Sequence, residues 1–303
     1  MTTTMDDILE TTDPVRIATG FVLTEGPTWH PSGFYYFADI RTGDLYTIRP
    51  GEQARWLRST EGGNGTTLDM QGRLVQCEPK GRRLTVTEHD GTVRTLIDRF
   101  KGGRLSRPND VICHSSGTLY FTDPAMRVPY ADREIPAGPN EENLWEASGI
   151  YRLTPDGELT LFARGEYPNG LALSPDETVL YVANSRASKY LHSFDLEADG
   201  SMRRRRIFAD MNADEKDGGP DGVKVDQAGR VFCTGPGGTW VFDADGTHLG
   251  VIRLPEIAYN MCFGGDDLRT LVFTARTSLY TLRTRTPGLP HPWAARQPSA
   301  LKG

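Results

Sequence analysis

The 303-residue sequence predicts an all-β protein, a six-bladed β-propeller with four-stranded antiparallel blades and a central metal site. Two observations carry this prediction. A short β-rich pattern recurs six times along the chain, and an Asp, Glu or Asn stands at the same offset before each recurrence. The first observation predicts the fold, and the second predicts the position of the site.

Each recurrence consists of a turn, a short run rich in Val, Tyr and Phe, and then a small or acidic residue. The six runs are GFYYFAD from residue 33, GRLVQCE from 72, GTLYFTD from 117, TVLYVAN from 178, GRVFCTG from 229 and TLVFTAR from 270. Short runs of this kind, bounded by Gly, Asp, Asn and Pro, are typical of β-strands. Most are followed by a second β-rich run that ends in a turn, so each unit contains several antiparallel strands.

The spacing of the repeats matches propeller blades. Equivalent positions are Tyr36, Val75, Tyr120, Tyr181, Phe232 and Val272, which lie between 39 and 61 residues apart along the chain. A four-stranded blade needs about 40 to 50 residues. A β-sandwich also contains many short strands, but it would not repeat one local pattern six times.

One domain is expected to span residues 1–303. Residues 14–20, PVRIATG, precede the first repeat and resemble a lone strand. We expect the N-terminal segment 1–20 to complete the last blade and close the ring, which would cover an edge strand that is otherwise open to pairing. The longest spacing comes from residues 124–148, for which we expect a loop insertion over the site with Tyr130 and Trp145 as apolar walls; the alternative is a mobile surface insertion.

Composition excludes several classes of function. The net charge of −6 argues against a nucleic-acid partner, since phosphate binding normally requires a basic face. The run Arg203–Arg206 is isolated, and we expect it to lie on a solvated outer hairpin. No stretch is apolar enough for a membrane span, and the N-terminus lacks the layout of a secretory signal, so a cytoplasmic protein is expected. The four cysteines fit no zinc or redox spacing.

The functional signal is a polar residue that precedes each repeat position by eleven or twelve residues. These residues are Glu25, Asn64, Asn109, Asn169, Asp221 and Asn260. The innermost strand of a propeller blade starts beside the central channel, so a position shared by all blades forms a ring around one axis. Carboxylate and amide oxygens without His or Cys form the ligand set of Ca²⁺, Mg²⁺ or Mn²⁺. The alternative is that each residue only initiates a turn.

Two further residues belong to the same end of the predicted blades. Asp123 ends the strand that runs back toward the ring, so we expect it on the ligand face. Arg107 stands two residues before Asn109. It either binds a substrate hydroxyl, carboxylate or phosphate, or pairs with a neighbouring acid.

These motifs resemble a known family. The stretches that carry the likeness are EGPTWHPSG (25–33), GNGTTLDMQGRLVQCE (63–78), RPNDV (107–111), GTLYFTDP (117–124), YPNGLALSPDE (167–177), PDGVKVDQAGRVFCTGPGGTWVF (220–242) and NMCFGGDDLRTLVFTA (260–275). They occur in order over nearly the whole chain, which resembles the SMP-30/gluconolactonase/luciferin-regenerating group and within it the bacterial gluconolactonases.

The resemblance implies one catalytic divalent ion, Ca²⁺ first and Zn²⁺, Mg²⁺ or Mn²⁺ as alternatives. Glu25, Asn169 and Asp221 match the family's direct metal ligands, and Asn109 matches a residue that ligates in some members and contacts water or substrate in others. Arg107 matches a substrate-contacting arginine, and Asn64 and Asn260 match channel residues near the metal. One departure concerns the rim of the pocket, where Pro79 replaces a histidine of close gluconolactonases.

The function expected from these residues is hydrolysis of a sugar lactone such as gluconolactone. In this hypothesis the metal polarises the lactone carbonyl, and Asp221 activates a water as general base or attacks as the nucleophile. A phosphotriesterase or arylesterase at the same site is an alternative, as is a non-catalytic propeller that serves as a binding platform with a structural ion. The expected partner is a small-molecule lactone, with no membrane or nucleic acid; the oligomeric state is left open.

Overall fold

The structure, a computed structural model, describes residues 3–125 and 148–296. These residues form six four-stranded antiparallel sheets, which are the blades of a propeller. The repeat positions identified in the sequence all lie in the second strand of their blade. The predicted six-bladed, all-β architecture is therefore confirmed.

The blades follow one another along the chain, with strands numbered in chain order. Blade 1 contains β2 (Thr24–His30), β3 (Phe34–Asp39), β4 (Asp44–Ile48) and β5 (Arg55–Ser59). Blade 2 contains β6 (Thr66–Leu68), β7 (Leu74–Glu78), β8 (Arg83–Thr87) and β9 (Val93–Ile97), and a hairpin of β10 (Arg99–Phe100) and β11 (Gly103–Arg104) follows it. Blade 3 contains β12 (Val111–Cys113), β13 (Leu119–Asp123), β14 (Gly149–Leu153) and β15 (Leu159–Arg164).

The second half repeats this plan. Blade 4 contains β16 (Pro168–Leu173), β17 (Val179–Asn184), β18 (Tyr190–Leu196) and β19 (Met202–Asp210). Blade 5 contains β20 (Val223–Val225), β21 (Val231–Gly235), β22 (Gly238–Phe242) and β23 (His248–Ile252). Blade 6 contains β24 (Ala258–Gly264), β25 (Thr270–Ala275), β26 (Ser278–Arg283) and, as its outermost strand, β1 (Val15–Thr19).

The innermost strands form a closed ring. Each first strand contacts the first strands of both neighbouring blades, in the cycle β2, β6, β12, β16, β20, β24 and back to β2. Short β-branched and aromatic runs fill the spaces between blades, with one buried apolar cluster at each of the six interfaces. The four cysteines are unpaired and buried in this packing, as expected of small apolar residues.

The N-terminal segment holds the last blade. Strand β1 pairs antiparallel with β26, with Val15 opposite Thr281 and Thr19 opposite Ser278. The helix α1 (Met5–Ile8) precedes it, and Ile8 is fully buried in the apolar cluster between blades 5 and 6. The sequence patterns predicted the strand but not this helix.

Two peripheral features complete the fold. A short helix α2 (Pro292–Arg296) places Trp293 against the small cluster between blades 1 and 2. The arginine run lies in β19, the outer strand of blade 4, where Arg203, Arg204 and Arg206 form ion pairs with Asp195. Among the described residues, no helix is long and apolar enough to cross a membrane.

We expect Ile8→Ala to lower the free energy of unfolding by about 2–4 kcal/mol, because it removes a fully buried side chain and leaves a cavity. Val22→Ala is the control, since Val22 is 53% exposed and should change stability by less than about 0.5 kcal/mol. Urea unfolding measures both values. Equal, small effects would show that α1 does not stabilise the closure of the ring.

Candidate active site at the propeller axis

The structure brings the six repeated polar residues to equivalent positions at one end of the inner strands. Three lie within strands: Glu25 in β2, Asn169 in β16 and Asn260 in β24. The other three stand just before β6, β12 and β20 and are Asn64, Asn109 and Asp221. Five of the six are less than a tenth exposed, whereas Asp221 retains partial access to solvent.

Glycines allow the inner strands to approach closely at this end. A Cβ at Gly26 would overlap the Asn64 carbonyl oxygen, and a Cβ at Gly170 would overlap that of Asp221. The Gly170 N–H also donates to the Asp221 carbonyl oxygen at 3.1 Å, and the Gly65 N–H donates to that of Asn109 at 2.8 Å. These contacts tie the start of one inner strand to the start of the next and fix the spacing of the polar side chains.

Two buried carboxyl groups oppose each other electrostatically. Burial raises the pKa of Glu25 to about 7, against the lowering effect of the Gly26 N–H that donates to its Oε2 at 2.7 Å, and the nearby Asp110 raises it further. Burial likewise raises the pKa of Asp221, and the charges of Glu25 and Asp110 add to this effect. Desolvation and like-charge repulsion both disfavour the ionised pair. A bound cation would relieve both.

Asn169 supplies an oxygen suited to such a cation. Its Nδ2 donates to Ser185 Oγ at 2.8 Å, and Ser185 Oγ donates to the Pro220 carbonyl at 2.5 Å, next to Asp221. The Asn169 Oδ1 atom is buried and has no hydrogen-bond partner. A buried amide oxygen without a partner is costly, so this atom is arranged for a ligand.

The donor set therefore fits a hard divalent ion. Within residues 3–125 and 148–296, no three His, Cys, Asp or Glu side chains converge as metal ligands. The groups that could hold an ion at the axis are the carboxylates of Glu25 and Asp221 together with the Asn169 Oδ1 atom. Oxygen donors alone favour Ca²⁺, Mg²⁺ or Mn²⁺ over Zn²⁺.

Asp123 positions Arg107. Its Oδ1 accepts from the Arg107 N–H at 2.5 Å and its Oδ2 accepts from the Ser106 N–H at 2.8 Å. Asp39 and Asn184, which end the second strands of blades 1 and 4, hold the backbone before β2 and β16 in the same way. The Asp or Asn that ends the second strand of these three blades thus fixes the segment that leads into the inner strand.

Arg107 is a buried arginine with one guanidinium nitrogen atom that has no partner among the described residues. Arg107 is 6% exposed, and its Nε is buried without a hydrogen-bond partner. No acidic side chain pairs with it among the residues that the structure describes. Of the two expectations for Arg107, substrate binding is the one that this environment favours.

The remaining ring amides differ in their surroundings. The Asn260 Oδ1 accepts from the Met261 N–H at 2.8 Å, and the Asn260 side chain lowers the pKa of both Glu25 and Asp110. Asn260 therefore lies beside the buried carboxyl groups. Asn64 and Asn109 are fixed through their backbones, and the substrate contacts expected of all three amides stay predictions.

Sequence patterns missed three charged residues near the axis. Asp110 and Lys224 interact with Glu25, and the exposed Arg186 lies close enough to Asp221 to lower its pKa. The Arg186 guanidinium lies 4.8 Å from the centre of the Tyr167 ring. The repeat itself contained a signal for Asp110, because the residue after the ring position is glycine in four of the six blades.

The long insertion starts beside Asp123. Its two ends meet, since the Ala125 N–H donates to Ser148 Oγ at 2.9 Å. Tyr130 and Trp145, the expected apolar walls, lie outside the described residues.

Comparison with known proteins identifies the family. The model of the SMP-30/gluconolactonase/LRE-like region matches residues 23–277. The chain belongs to this family. The matched region contains all six ring residues, whereas α1 and β1 lie outside it.

Several members of the family are similar over most of their length. A gluconolactonase from Zymomonas mobilis is 32% identical, over 94% of this chain and 85% of that protein. A pentonolactonase from Haloferax volcanii is 32% identical, over 83% of this chain and 81% of that protein. The solved structure of a Xanthomonas campestris gluconolactonase has a TM-score of 0.83 at 33% identity and covers 92% of both chains.

We expect Gly170→Ala to lower stability by about 1–3 kcal/mol and to displace Asp221, because the added methyl group overlaps the Asp221 carbonyl oxygen. Gly219→Ala is the matched control, since its new Cβ would meet only the Ser185 carbonyl oxygen, at an ordinary 3.5 Å. Thermal unfolding and the affinity for Ca²⁺ are measured for both. Unchanged Ca²⁺ affinity in Gly170→Ala would contradict the role of this close approach in the site.

Proposed function

We propose that the protein hydrolyses a sugar lactone, opening the ring of an aldonolactone to the free acid, at a divalent ion held by Glu25, Asn169 and Asp221 with Asn109 beside them. The observation that carries the metal site is the pair of buried carboxyl groups next to an amide oxygen without a partner. That the chain is a lactone hydrolase follows from its relatives, since a gluconolactonase and a pentonolactonase match it over more than four fifths of its length.

The ion at the axis, with Ca²⁺ favoured by the all-oxygen donors, would supply a Lewis acid for the lactone carbonyl oxygen. Arg107 is placed to donate hydrogen bonds to the substrate from a buried guanidinium whose loop is fixed by Asp123. Fixed donors of this kind orient the substrate without a cost of reorganisation.

Asp221 is assigned as the general base because the Oε2 atom of Glu25 already accepts a hydrogen bond from the Gly26 N–H. The residue Asp221 is partly exposed although burial raises the pKa of its carboxyl group, whereas Glu25 is 5% exposed. Asp221 accepts a proton from the attacking water, whose oxygen forms the new bond to the carbonyl carbon. The ring C–O bond then breaks, and the proton passes to the departing ring oxygen, which becomes a hydroxyl group of the product.

We expect Asp221→Asn to lower kcat for aldonolactone hydrolysis by about 10²-fold or more, because it keeps an oxygen ligand but removes the base. Asp217→Asn is the control, since Asp217 is exposed and, like Asp221, precedes strand β20; it should leave kcat within about twofold of the wild type. Calorimetric titration with Ca²⁺ shows whether the variant still binds the ion. Near-normal turnover with the ion bound would exclude Asp221 as the base.

Single turnover in H₂¹⁸O separates the two roles open to Asp221. A general base places the label in the product acid in the first turnover. Direct attack by Asp221 forms an anhydride between its carboxyl group and the substrate acyl group as the ring C–O bond breaks; water that cleaves this anhydride at the Asp221 carbonyl carbon puts the label in the enzyme carboxylate and an unlabelled oxygen in the first product. Label in the enzyme carboxylate therefore identifies direct attack.

The substrate class is tested on chelator-treated protein with δ- and γ-aldonolactones, an aryl ester and a phosphotriester, before and after addition of Ca²⁺, Mg²⁺, Mn²⁺ or Zn²⁺. We expect the lactones to be opened fastest and only after an ion is restored. Faster turnover of the aryl ester or the phosphotriester would replace the proposed substrate. Lactone opening by the fully chelated protein would contradict the metal site.

We expect Arg107→Gln to lower kcat/KM for an aldonolactone by about tenfold or more and to change that for an aryl ester by less than about threefold, since only the sugar offers hydroxyl groups to the guanidinium. The ratio of the two substrates is the measurement. A parallel loss on both would show that Arg107 acts on the fold of the site and not on the sugar.

A further inference from the structure

Exposed arginines lie at the end of the propeller that carries the ring residues. They stand in the turns between the second and third strands of their blades and are Arg41 after β3, Arg186 after β17 and Arg276 after β25. Each second strand runs antiparallel to its inner strand, so it ends where the inner strand begins. The net charge of the chain is −6, so these positive charges are a local departure from its overall composition.

The inner strand of blade 6 presents Tyr259 at the same end. Strands β24 and β25 shift in register between Ala258 and Asn260, so Tyr259 has no residue opposite it. A shift of this kind turns a side chain out of the regular ladder. The Tyr259 carbonyl oxygen accepts from the Gly222 N–H at 2.8 Å, and Gly222 follows Asp221 directly. Tyr259 therefore adjoins the ring, with a half-buried side chain.

Arg276 and Arg41 lie within electrostatic reach of the Tyr259 phenol. Burial raises the pKa of Tyr259, and the charge of Arg276 opposes this effect more strongly than that of Arg41 does. The charges of Asp221 and Glu25 raise the same pKa. One phenol thus lies near two arginines, from blades 1 and 6, and near the two acidic ring residues.

Arg276 adopts a backbone conformation that a large side chain rarely takes. Its φ is +41°, in the left-handed region that favours Gly and Asn. The turn is held in place, because the Thr277 N–H and hydroxyl both donate to Glu256 Oε2 at 2.8 Å. The Arg276 carbonyl oxygen also accepts from the Thr24 N–H at 2.8 Å, next to Glu25. An arginine kept in such a conformation beside a candidate site indicates a function for its side chain.

The Arg276 guanidinium forms no ion pair with an acidic side chain in the described part of the chain. Glu256, which holds the turn, also accepts at Oε1 from the hydroxyl groups of Ser278 and Tyr280. Guanidinium and phenol groups donate hydrogen bonds to phosphate, sulfonate and carboxylate oxygens. An anion is therefore the ligand that Arg276, with Tyr259 beside it, is suited to bind.

We propose that Arg276, Arg41 and Tyr259 form a subsite for an anionic group, so that the preferred substrate is an aldonolactone with a phosphate, sulfonate or carboxylate on the carbon chain away from the lactone carbonyl. This inference rests on the lactone hydrolysis proposed above. The subsite adjoins the ring, so one molecule can present its carbonyl at the axis and its anionic group at the rim. The buried Arg107 binds the sugar hydroxyl groups, and Arg186 acts on Asp221 from blade 4.

The first measurement compares kcat/KM of the wild type for gluconolactone with that for the same lactone carrying a phosphate, a sulfonate or a carboxylate on its terminal carbon. We expect a charged lactone to be preferred by about tenfold or more, and the three charged lactones identify which anion the subsite takes. A higher ionic strength should lower kcat/KM for the charged lactone more than for the neutral one. A preference for the neutral lactone over all three would overturn the proposal.

Arg276→Asn tests the subsite directly. We expect it to lower the charged-to-neutral ratio of kcat/KM by about tenfold or more, whereas Tm does not fall, because Asn tolerates the left-handed region. Tyr259→Phe removes one donor and should lower the ratio by about threefold or more. Arg269→Asn is the matched control, since Arg269 is an exposed arginine in the turn between β24 and β25, at the other end of the same blade. It should leave the ratio within about twofold of the wild type.

The outcomes separate this inference from the lactone hydrolysis on which it rests. If Arg276→Asn lowers kcat/KM for the charged and neutral lactones equally, or leaves both unchanged, the hydrolase stands and the anionic subsite is wrong. If the wild type opens no lactone, the proposed function fails, and calorimetric titration with gluconate and its terminal phosphate ester tests the subsite. Tighter binding of the phosphate ester that Arg276→Asn abolishes supports the subsite, whereas equal binding of the two acids overturns it.

Discussion

The close approach of six inner strands at the propeller axis is the constraint on which the site depends. Glycine after the ring position in four blades allows the backbone of one blade to contact the backbone of the next. The same packing excludes water from the ring side chains, which are nearly all buried. Polar residues that would be ordinary turn formers on a surface thereby become a concentrated set of oxygen donors.

Bringing these oxygen donors together disfavours the ionised form of the carboxyl groups among them. Burial raises the pKa of Glu25, Asp110 and Asp221, the charge of Asp110 raises those of Glu25 and Asp221 further, and Lys224 lowers those of Glu25 and Asp110. In the proposed function, a cation at the axis would offset this cost, and its binding would then stabilise the folded protein.

At the periphery of the site, polar side chains accept hydrogen bonds from backbone N–H groups and thereby hold the loops in place. Asp123 and Asp39 each accept hydrogen bonds from two N–H groups of the segment before the inner strand of their blade, and Asn184 accepts one. A repeated acidic residue is therefore not always part of the chemistry. A polar residue with a structural role, such as Asp123, has side-chain oxygen atoms that already accept hydrogen bonds. A candidate ligand-binding residue, such as Asn169 or Asp110, has a buried oxygen atom without a partner.

The sequence alone determined the number of blades, the strand that carries each repeat position and the six residues at the axis, because these features depend on short periodic patterns that each blade repeats. It did not reveal helix α1, the bracing role of Asp123 or the grouping of Asp110 with Lys224. These were decided by tertiary structure, since blades 3 and 5 are separated by a whole blade along the chain and Lys224 acts on the Asp110 carboxyl group only in the folded propeller. Local sequence patterns specify strands. The electrostatic potential at the axis, in contrast, is the sum of charges from all blades and exists only in the closed propeller.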